Sequence, residues 1–548
     1  MTRTSRNLPV VALFLVVLAA ELAFGLWMSA QGFRWGDGIS RAVHALVVVH
    51  GADPHLAAIG FVWMPLPSLV GVLWALPYPL WPDVIASGFA STMTSALGAA
   101  VAAVILLLTA RRLGLSDRLG VVFAIVMAAN PMLLLFGANG MSEGVASPFL
   151  IGAVCALTLF WHTGRRRYVA LAGIALALAF LSVYEAVPFG AALAVALVMG
   201  RLWGQQNADP LSDRRRAAWA LALALLLPAV YVGVMWIATN AVIMDDPLYF
   251  ATGVHSNEAQ TENDAEIASE MEGDILGALV FTAERTAPFL VPILALLVVR
   301  ALDRRFWRSK TVALVLLALS VPVGMIAPLL YMGSSYGFLR FFMYPLMVAA
   351  GWGLYEVAAS DRRRRAAATV LAGWVLAAPA ALGAMTHEEL GQETHEIVRG
   401  IATGQTGEEI GYELDPIRDA RPLASYLEDG PLRQREWVLL DQTTGFAIPG
   451  QVDPEHLDRL LLTPDRIFHR ALRDPGAHGV RYLLVPNPDK AYHDAVVEAY
   501  PRLWQGRDPR FRLVGSVRSE FLDWRLYEVR GRVAPPSELA PARARVRP

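Results

Sequence analysis

Clusters of arginine separate the long apolar runs of this chain at every second gap. They lie at residues 111–112, 165–167, 214–216, 304–310 and 362–365. The intervening gaps are poor in basic residues, and residues 241–274 contain nine acidic residues and no Lys or Arg. Because short cytoplasmic loops of polytopic membrane proteins retain Lys and Arg, this alternation predicts a chain that crosses the membrane many times. It also predicts which loops face outward, and these are the loops in which we look for chemistry.

The composition agrees with a membrane protein. The chain has 548 residues, of which 55% are hydrophobic and 17% charged, and its mean hydropathy is +0.43. A soluble domain carries about 25% charged residues. The net charge of −1 gives no indication of a nucleic-acid partner, so the arginine clusters are interpreted as solvated cytoplasmic loops. The single cysteine, Cys155, lies in an apolar run and does not indicate whether the protein is in an oxidising or a reducing compartment.

The apolar runs predict a polytopic α-helical membrane protein, because a span needs about 20 apolar residues. This measure gives roughly eleven spans, the first of them retained rather than cleaved as a signal. They lie near residues 8–30, 84–110, 119–136, 143–161, 168–183, 186–200, 217–240, 275–300, 311–332, 339–359 and 366–385. With a cytoplasmic N-terminus, every arginine cluster lies inside, and the acidic loop 241–274 and all residues after 385 lie outside. The predicted location is the plasma (cytoplasmic) membrane.

The first outer loop, residues 31–83, is predicted to lie flat against the bilayer. Its segment 64–78 is apolar, but it is short and contains Pro65, Pro67 and Pro77. Counting this segment as a span would place two successive arginine clusters outside. We therefore expect a helix at the outer membrane surface, preceded by a second such helix over residues 38–50.

The composition changes at His387, after which apolar runs are short and charges frequent. Strands are predicted at residues 437–441, 480–485, 511–517 and 524–529, and helices at 422–428 and 454–462. We therefore predict a membrane module over residues 1–386 and a soluble extracytoplasmic α/β domain over residues 387–548, which is long enough to bury its own core. A disordered tail is expected from about residue 532.

Acidic residues at the outer ends of spans are the first candidates for chemistry. Asp37, which lies between two glycines, could act on a ligand or could cap the helix 38–50. Glu143 follows Ser142 at the start of a span, and its alternative role is a carboxylate stabilised by the helix dipole. Glu185 occupies the next tight outer turn and has the same two interpretations.

Two arginines are candidates for binding an anion. Arg340 lies at the mouth of a late span, where a guanidinium is suited to bidentate phosphate binding. The alternative is an arginine that extends to lipid headgroups. Arg285 lies in a span beside Glu284, and a local ion pair is its simpler explanation.

The order of several short motifs carries a family resemblance. The motifs are Gly36-Asp37-Gly38-Ile39-Ser40-Arg41-Ala42, Gly51-Ala52-Asp53-Pro54-His55, Trp63-Met64-Pro65-Leu66-Pro67, Ala110-Arg111-Arg112-Leu113-Gly114, Asn130-Pro131 and Ser142-Glu143. In this order they resemble the GT-C superfamily of integral-membrane glycosyltransferases, which includes protein O-mannosyltransferases, aminoarabinose transferases and oligosaccharyltransferase catalytic subunits. The resemblance covers residues 8–385, and the remainder resembles the extracytoplasmic domains that many members append.

The resemblance implies roles for the candidate residues. Asp37 matches the catalytic acidic residue of the first outer loop, and Glu143 matches a second acidic residue near the active site. Arg340 matches an arginine that contacts the donor phosphate, and Arg285 is expected to assist it. Supporting residues are expected to be Arg41, Glu185 and Tyr336.

The resemblance implies transfer of a sugar from a polyprenyl-phosphate donor to an envelope glycan, lipid or protein on the outer face of the membrane. Asp37 is followed by Gly38 rather than by a second acid, and the second outer loop has no Asp-x-Asp. We therefore predict a metal-independent general-base mechanism and no cofactor, although a divalent metal is possible. The spacing of His44, His50 and His55 does not predict a metal site.

A membrane transporter or lipid-linked sugar flippase is the alternative function. It predicts charges at the membrane midplane or inverted repeats. The sequence indicates neither of these features. An inactive scaffold of an envelope assembly also remains open.

Overall fold

The structure is a computed structural model that describes residues 3–203, 210–253, 256, 270–412, 415–491, 493–518 and 522–535. Residues 254–255 and 257–269 of the acidic loop and most of the predicted tail from about residue 532 lie outside the described residues.

Helices dominate the described part of the chain. The first eleven are α1 (Arg3–Ala30), α2 (Gly36–His50), α3 (Leu66–Ala75), α4 (Asp83–Ala86), α5 (Phe89–Arg112), α6 (Asp117–Ala128), α7 (Pro131–Ala138), α8 (Ser142–Thr163), α9 (Arg167–Phe180), α10 (Ala186–Leu202) and α11 (Leu211–Ile243). The remaining helices are α12 (Tyr249–Thr252), α13 (Ile275–Thr286), α14 (Val291–Leu302), α15 (Ser309–Leu319), α16 (Ala327–Tyr331), α17 (Tyr344–Ala359), α18 (Arg363–Thr386), α19 (His395–Thr403), α20 (Pro416–Leu427), α21 (Phe468–Arg473) and α22 (Ala495–Ala499).

Six helices of the described residues are long and apolar enough to cross a membrane, or up to eight if each of two bent pairs counts as one span. The multi-spanning helical architecture is therefore confirmed, but the predicted number of about eleven is not reached by length and composition. Three predicted spans are helices of fewer than 18 residues, namely α9, α10 and α17.

Two spans that were predicted as continuous are broken in the structure. Helices α6 and α7 meet at an angle of 77°, and Ser309–Leu319 meets Pro322–Tyr331 at 53°. At the first break, the Asn130 side chain caps α7 by accepting a hydrogen bond from the Met132 N–H at 3.2 Å. Pro131, which has no N–H to donate, occupies the first position of α7. These residues start a new helix instead of extending the old one.

The chain divides into two compact units that do not follow the predicted boundary at residue 387. The first unit comprises Met1–Gly25 and Thr94–Gln405, and the second comprises Leu26–Met93 and Thr406–Pro548. The first outer loop thus groups with the C-terminal residues. These two units do not decide which residues lie in the membrane, so the membrane module over residues 1–386 stays a prediction.

A five-stranded mixed sheet organises the second unit, in the order β2-β1-β3-β5-β4. The strands are β1 (Trp437–Leu440), β2 (Leu460–Leu462), β3 (Val480–Pro486), β4 (Phe511–Val517) and β5 (Trp524–Val529). Strand β1 runs parallel to β2 and β3, whereas β5 runs antiparallel to β3 and β4. The four predicted strands are all present.

The helix predicted over residues 454–462 was wrong, because its last three residues form strand β2. Leu460 and Leu462 face one apolar cluster of the unit, while Leu461 faces the other. Burial on both faces of the sheet, in register with β1, outweighs the helical tendency of a leucine run.

The first outer loop contributes directly to the core of the second unit. Val43 and Leu46 of α2 share an apolar cluster with Leu440 and Leu460 of the sheet. The predicted helices over residues 38–50 and 64–78 are confirmed as α2 and α3. Their predicted position at the membrane surface stays a prediction, but the buried face of α2 explains why this loop groups with the C-terminal residues.

Candidate active site

A partly buried arginine lies between two buried carboxylates in the first unit. Arg340 belongs to the 3₁₀ turn Leu339–Phe342 that precedes α17, and Glu143 lies in the first turn of α8. Arg340 Nε is 3.1 Å from Glu143 Oε1, and Arg340 Nη1 donates a hydrogen bond to Glu393 Oε2. The side chains of Arg340, Glu143 and Glu393 are 13%, 5% and 4% exposed. The structure thus brings together two residues that the sequence nominated and adds a third.

Aromatic rings frame the guanidinium of Arg340. Its carbon lies 4.7 Å from the ring centre of Phe338 and 4.9 Å from that of Phe341. Tyr336 stacks on Phe338 with a centroid distance of 5.2 Å and an interplanar angle of 9°. Cation–π attraction of this kind is strongest away from water. Tyr336 is thus in contact with the aromatic ring that faces Arg340, and its supporting role stays a prediction.

Glu185 joins the same cluster from the turn between α9 and α10. Its carboxylate accepts a hydrogen bond from the hydroxyl of Tyr344 and interacts electrostatically with Glu143 and Arg340. Burial, followed by the negative charge of Glu143, raises the pKa of Glu185 to about 7. A carboxyl group with a pKa near neutrality can accept and return a proton under physiological conditions.

Arg285 is connected through the aromatic ring of Phe281 to the turn that carries Arg340. Its guanidinium stacks 3.4 Å from the ring centre of Phe281 and donates from Nη2 to the Glu389 carbonyl oxygen at 2.6 Å. Phe281 in turn packs against Phe342 with a centroid distance of 6.3 Å. The role of Arg285 in phosphate binding stays a prediction.

Asp37 and Arg41 lie on α2, in the second unit. The helix begins at Gly36 with Trp35 at the N-cap position, so Asp37 occupies the first turn and the alternative that it caps the helix was wrong. A half-buried carboxylate in that turn is stabilised by the helix dipole. The Arg41 guanidinium lies 4.6 Å from the ring centre of Trp63. The catalytic role of Asp37 stays a prediction.

Three buried polar residues of the first unit were not named as candidates from the sequence. Glu393 lies after the last span in a charged stretch, and that stretch was interpreted as the start of a soluble domain. Tyr344 is hidden in an apolar run. Glu21 contradicts the statement that the spans carry no midplane charge, because it lies within the span Asn7–Ala30 and is 1% exposed. A lone glutamate inside 24 apolar residues is a signal that could have revealed it.

Within the described residues, one group could hold a metal ion. Glu428, Asp453 and His456 of the second unit present ligand atoms that lie within 4.8 Å of one another. His50 and His55 of the first outer loop instead contact backbone carbonyl oxygens, those of Ala75 and Asp53. The metal-independent mechanism stays a prediction.

Broken apolar spans, a largely buried arginine–carboxylate cluster and a small mixed sheet together define a multi-spanning membrane protein with an α/β addition. Residues 84–236 match the family model described as dolichyl-phosphate-mannose-protein mannosyltransferase. No match was found among curated protein sequences.

The chain also matches solved structures. ArnT from Cupriavidus metallidurans in the apo state is 14% identical, with a TM-score of 0.51 over 94% of this chain and 97% of that chain. AglB, an oligosaccharyltransferase from Archaeoglobus fulgidus in complex with an inhibitory peptide and a dolichol-phosphate, is 12% identical, with a TM-score of 0.43 over 85% of this chain and 69% of that chain. The family model and the ArnT fold confirm the predicted resemblance to the GT-C superfamily of membrane glycosyltransferases.

Proposed function

We propose that this protein transfers a sugar from a polyprenyl-phosphate donor to an acceptor hydroxyl on the outer face of the plasma membrane. The observation that carries the proposal is the partly buried Arg340, which lies between aromatic rings and beside Glu143 in a chain with a GT-C-like fold. A planar cation on a rigid frame suits a phosphate leaving group, because it stabilises the negative charge that develops as the glycosidic bond breaks.

Glu393 holds the place at Arg340 that a donor phosphate would take. Both groups are anionic oxygen acceptors, and Glu393 already contacts Nη1 of the guanidinium. Donor binding in this mechanism exchanges one anion for another, so the arginine is never left uncompensated in a buried site. Arg285 is proposed to add positive charge on the same side.

Asp37 is the proposed general base. Its carboxylate would take the proton of the acceptor hydroxyl as that oxygen attacks the anomeric carbon, a contribution that typically amounts to about 10²–10⁴-fold in rate. Glu143 would orient the acceptor, and Glu185 would buffer the proton. Each of these steps is metal-independent in the proposal, and the acceptor class is an envelope glycan, lipid or protein.

The orientation of the chain is part of the proposal. The arginine clusters support a cytoplasmic N-terminus, which places the turns before α8 and α10 and the C-terminal domain outside. A lipid-linked donor fits this orientation, because nucleotide sugars are cytoplasmic whereas the acidic candidates face outward.

A transporter or lipid-linked sugar flippase is the second candidate, and Glu21 is the observation that favours it. Carboxylates at membrane depth mark substrate and proton pathways in transporters. A flippase moves its lipid without breaking a glycosidic bond, so the products separate the two functions.

The test is mass spectrometry of lipid-linked sugars and envelope glycans from cells with and without the gene, followed by transfer with purified protein in lipid nanodiscs. A transferase consumes the lipid-linked sugar, releases polyprenyl phosphate and adds the sugar mass to an acceptor. Arg340→Ala should abolish this conversion, while Arg466→Ala, at an exposed ion pair with Asp53, should retain it. Redistribution of intact lipid-linked sugar without any acceptor product would establish the flippase instead.

A further inference from the structure

Glu21 is a carboxyl group buried in the middle of an apolar helix. It lies in the span Asn7–Ala30 and is 1% exposed, and its Oε2 atom has no hydrogen-bond partner among the described residues. The carboxyl group rests directly against Gly137 of α7, where a Cβ atom would lie 2.8 Å from Oε2. The absence of a side chain at Gly137 therefore provides the space that the Glu21 carboxyl group occupies, which indicates that the packing around Glu21 is specific.

A small cavity joins Glu21 to the candidate active site. Its volume is about 20 Å³, and its polar lining consists of Glu21, Glu143 and Ser147. The other lining residues are Ala, Gly, Met, Leu, Ile and Phe. A cavity of roughly 10–15 Å³ holds one water molecule when two to four polar groups surround it. The cavity meets both conditions.

The apolar surroundings determine the form of the Glu21 side chain. An ionised carboxylate in such a place is strongly disfavoured unless a cation accompanies it. Glu143, the other acidic residue lining the cavity, already has Arg340 as its cationic partner. A neutral Glu21 carries an O–H donor, and a buried donor requires an acceptor. One water molecule in the cavity can accept from Glu21 and donate to Glu143.

We propose that Glu21 is a positioning residue, which donates a hydrogen bond through one bound water to the Glu143 carboxylate and so fixes the orientation of Glu143 towards Arg340. The predicted effect on sugar transfer rests on the proposed function above. The hydrogen-bonded connection itself does not, and it can be measured without any turnover. Ser147, whose hydroxyl donates to the Gly144 carbonyl oxygen at 3.1 Å, offers the water a further acceptor.

Infrared difference spectroscopy of the protein in nanodiscs tests the connection directly. The wild-type-minus-Glu21→Gln difference spectrum should contain the carbonyl stretching band of a protonated carboxylic acid, whereas the wild-type-minus-Glu455→Gln spectrum, which reports an exposed carboxylate, should lack it. Glu143→Gln should shift the band, because it changes the acceptor on the far side of the water. Absence of the band from the wild-type-minus-Glu21→Gln spectrum, or an unshifted band in Glu143→Gln, would overturn the proposal.

Kinetics then measure the consequence for transfer. Glu21→Gln retains a neutral donor of similar shape, so its kcat should stay close to the wild-type value, whereas Glu21→Leu should lose roughly tenfold in kcat. Equal losses in both variants, or no loss in Glu21→Leu, would contradict a donor role. If the wild type shows the band and Glu143→Gln shifts it, but the wild type transfers no sugar, the proposed function fails while the hydrogen-bonded connection of Glu21 stands. Thermal unfolding of each variant identifies any that is misfolded.

Discussion

Arg340 Nε lies 3.1 Å from Oε1 of Glu143, although the two residues belong to segments far apart in the chain. One comes from a 3₁₀ turn before a buried helix and the other from the first turn of a helix whose residues are also largely buried. Removing either partner of such a largely buried ion pair destabilises the folded protein, because the remaining charge is left in apolar surroundings. The pair therefore holds these two distant segments together.

Arg340→Lys is expected to raise the KM for the lipid-linked donor by about tenfold or more. Lysine keeps the charge but loses the planar fork that contacts Glu143 through Nε and Glu393 through Nη1. Steady-state transfer at saturating acceptor measures the effect, and Arg466→Lys, at an exposed ion pair, is the matched control. An unchanged donor KM in Arg340→Lys would return this residue to the role of a lipid-headgroup anchor.

Glu393→Gln should have the opposite effect on the donor. The carboxylate at Arg340 competes with an incoming phosphate, so the neutral amide is expected to lower the donor KM by roughly threefold to tenfold. Glu388→Gln, at an exposed position just upstream, is the control and should leave KM unchanged. A higher KM in Glu393→Gln would show that Glu393 supports the arginine rather than competing for it.

The local part of the fold could be predicted from the sequence, because it depends on neighbouring residues. Helix α2 and strand β3 follow from apolar periodicity, and Asn130 before Pro131 is a local signal for the start of a helix. The Asn130-Pro131 dipeptide could have predicted the break between α6 and α7, but the length criterion of about 20 apolar residues was given more weight. Length and local breakers therefore have to be weighed together in such a chain.

The candidate site could be predicted only in part, since its contacts join distant segments. Glu143 and Arg340 were found through motifs at the ends of spans. The pairing of Arg340 with Glu393 and of Glu185 with Tyr344 depends on how helices pack, which no local pattern records. Residues 460–462 illustrate the same limit in the sheet, because their strand is set by pairing with β1.

The predicted orientation can be checked by labelling single cysteines. In a Cys155→Ser background, which removes the buried natural thiol, a cysteine at Glu455 should react with an impermeant reagent added outside. Cysteines at Arg215 and Arg363, both exposed in arginine clusters, should react only after permeabilisation. Labelling of position 455 only from inside would reverse the orientation and remove the outer face as the place of transfer.

The stability of the second unit should fall as the pH rises from about 4 to about 7. Burial, and then the nearby Asp441, raise the pKa of Asp494 from its ordinary value of 3.8 to about 7. In this range the folded protein holds a proton that the unfolded chain has released, so rising pH favours unfolding. Burial raises the pKa of Asp465 to about 7 as well, with the same sign.

The Asp494→Asn variant should lose part of this pH dependence while keeping its helix cap, because asparagine also accepts from backbone N–H groups. Denaturant unfolding of the whole protein, followed by tryptophan fluorescence across this pH range, measures the slope. Asp458→Asn, at a more exposed carboxylate, should keep the wild-type slope. Parallel slopes in Asp494→Asn and the wild type would show that Asp494 titrates normally.

Asp37→Asn separates the catalytic role of this residue from its helical role. Asp37 lies in the first turn of α2 and does not cap it, so the amide loses only a charge–dipole interaction of about 0.3–1 kcal/mol. Asparagine cannot accept the acceptor's proton, so kcat should fall by roughly 10²–10⁴-fold while donor binding persists. Asp83→Asn, the same change in the first turn of the exposed start of α4, is the control and should transfer normally. Near-normal transfer by folded Asp37→Asn would shift the role of base to Glu143 or Glu185.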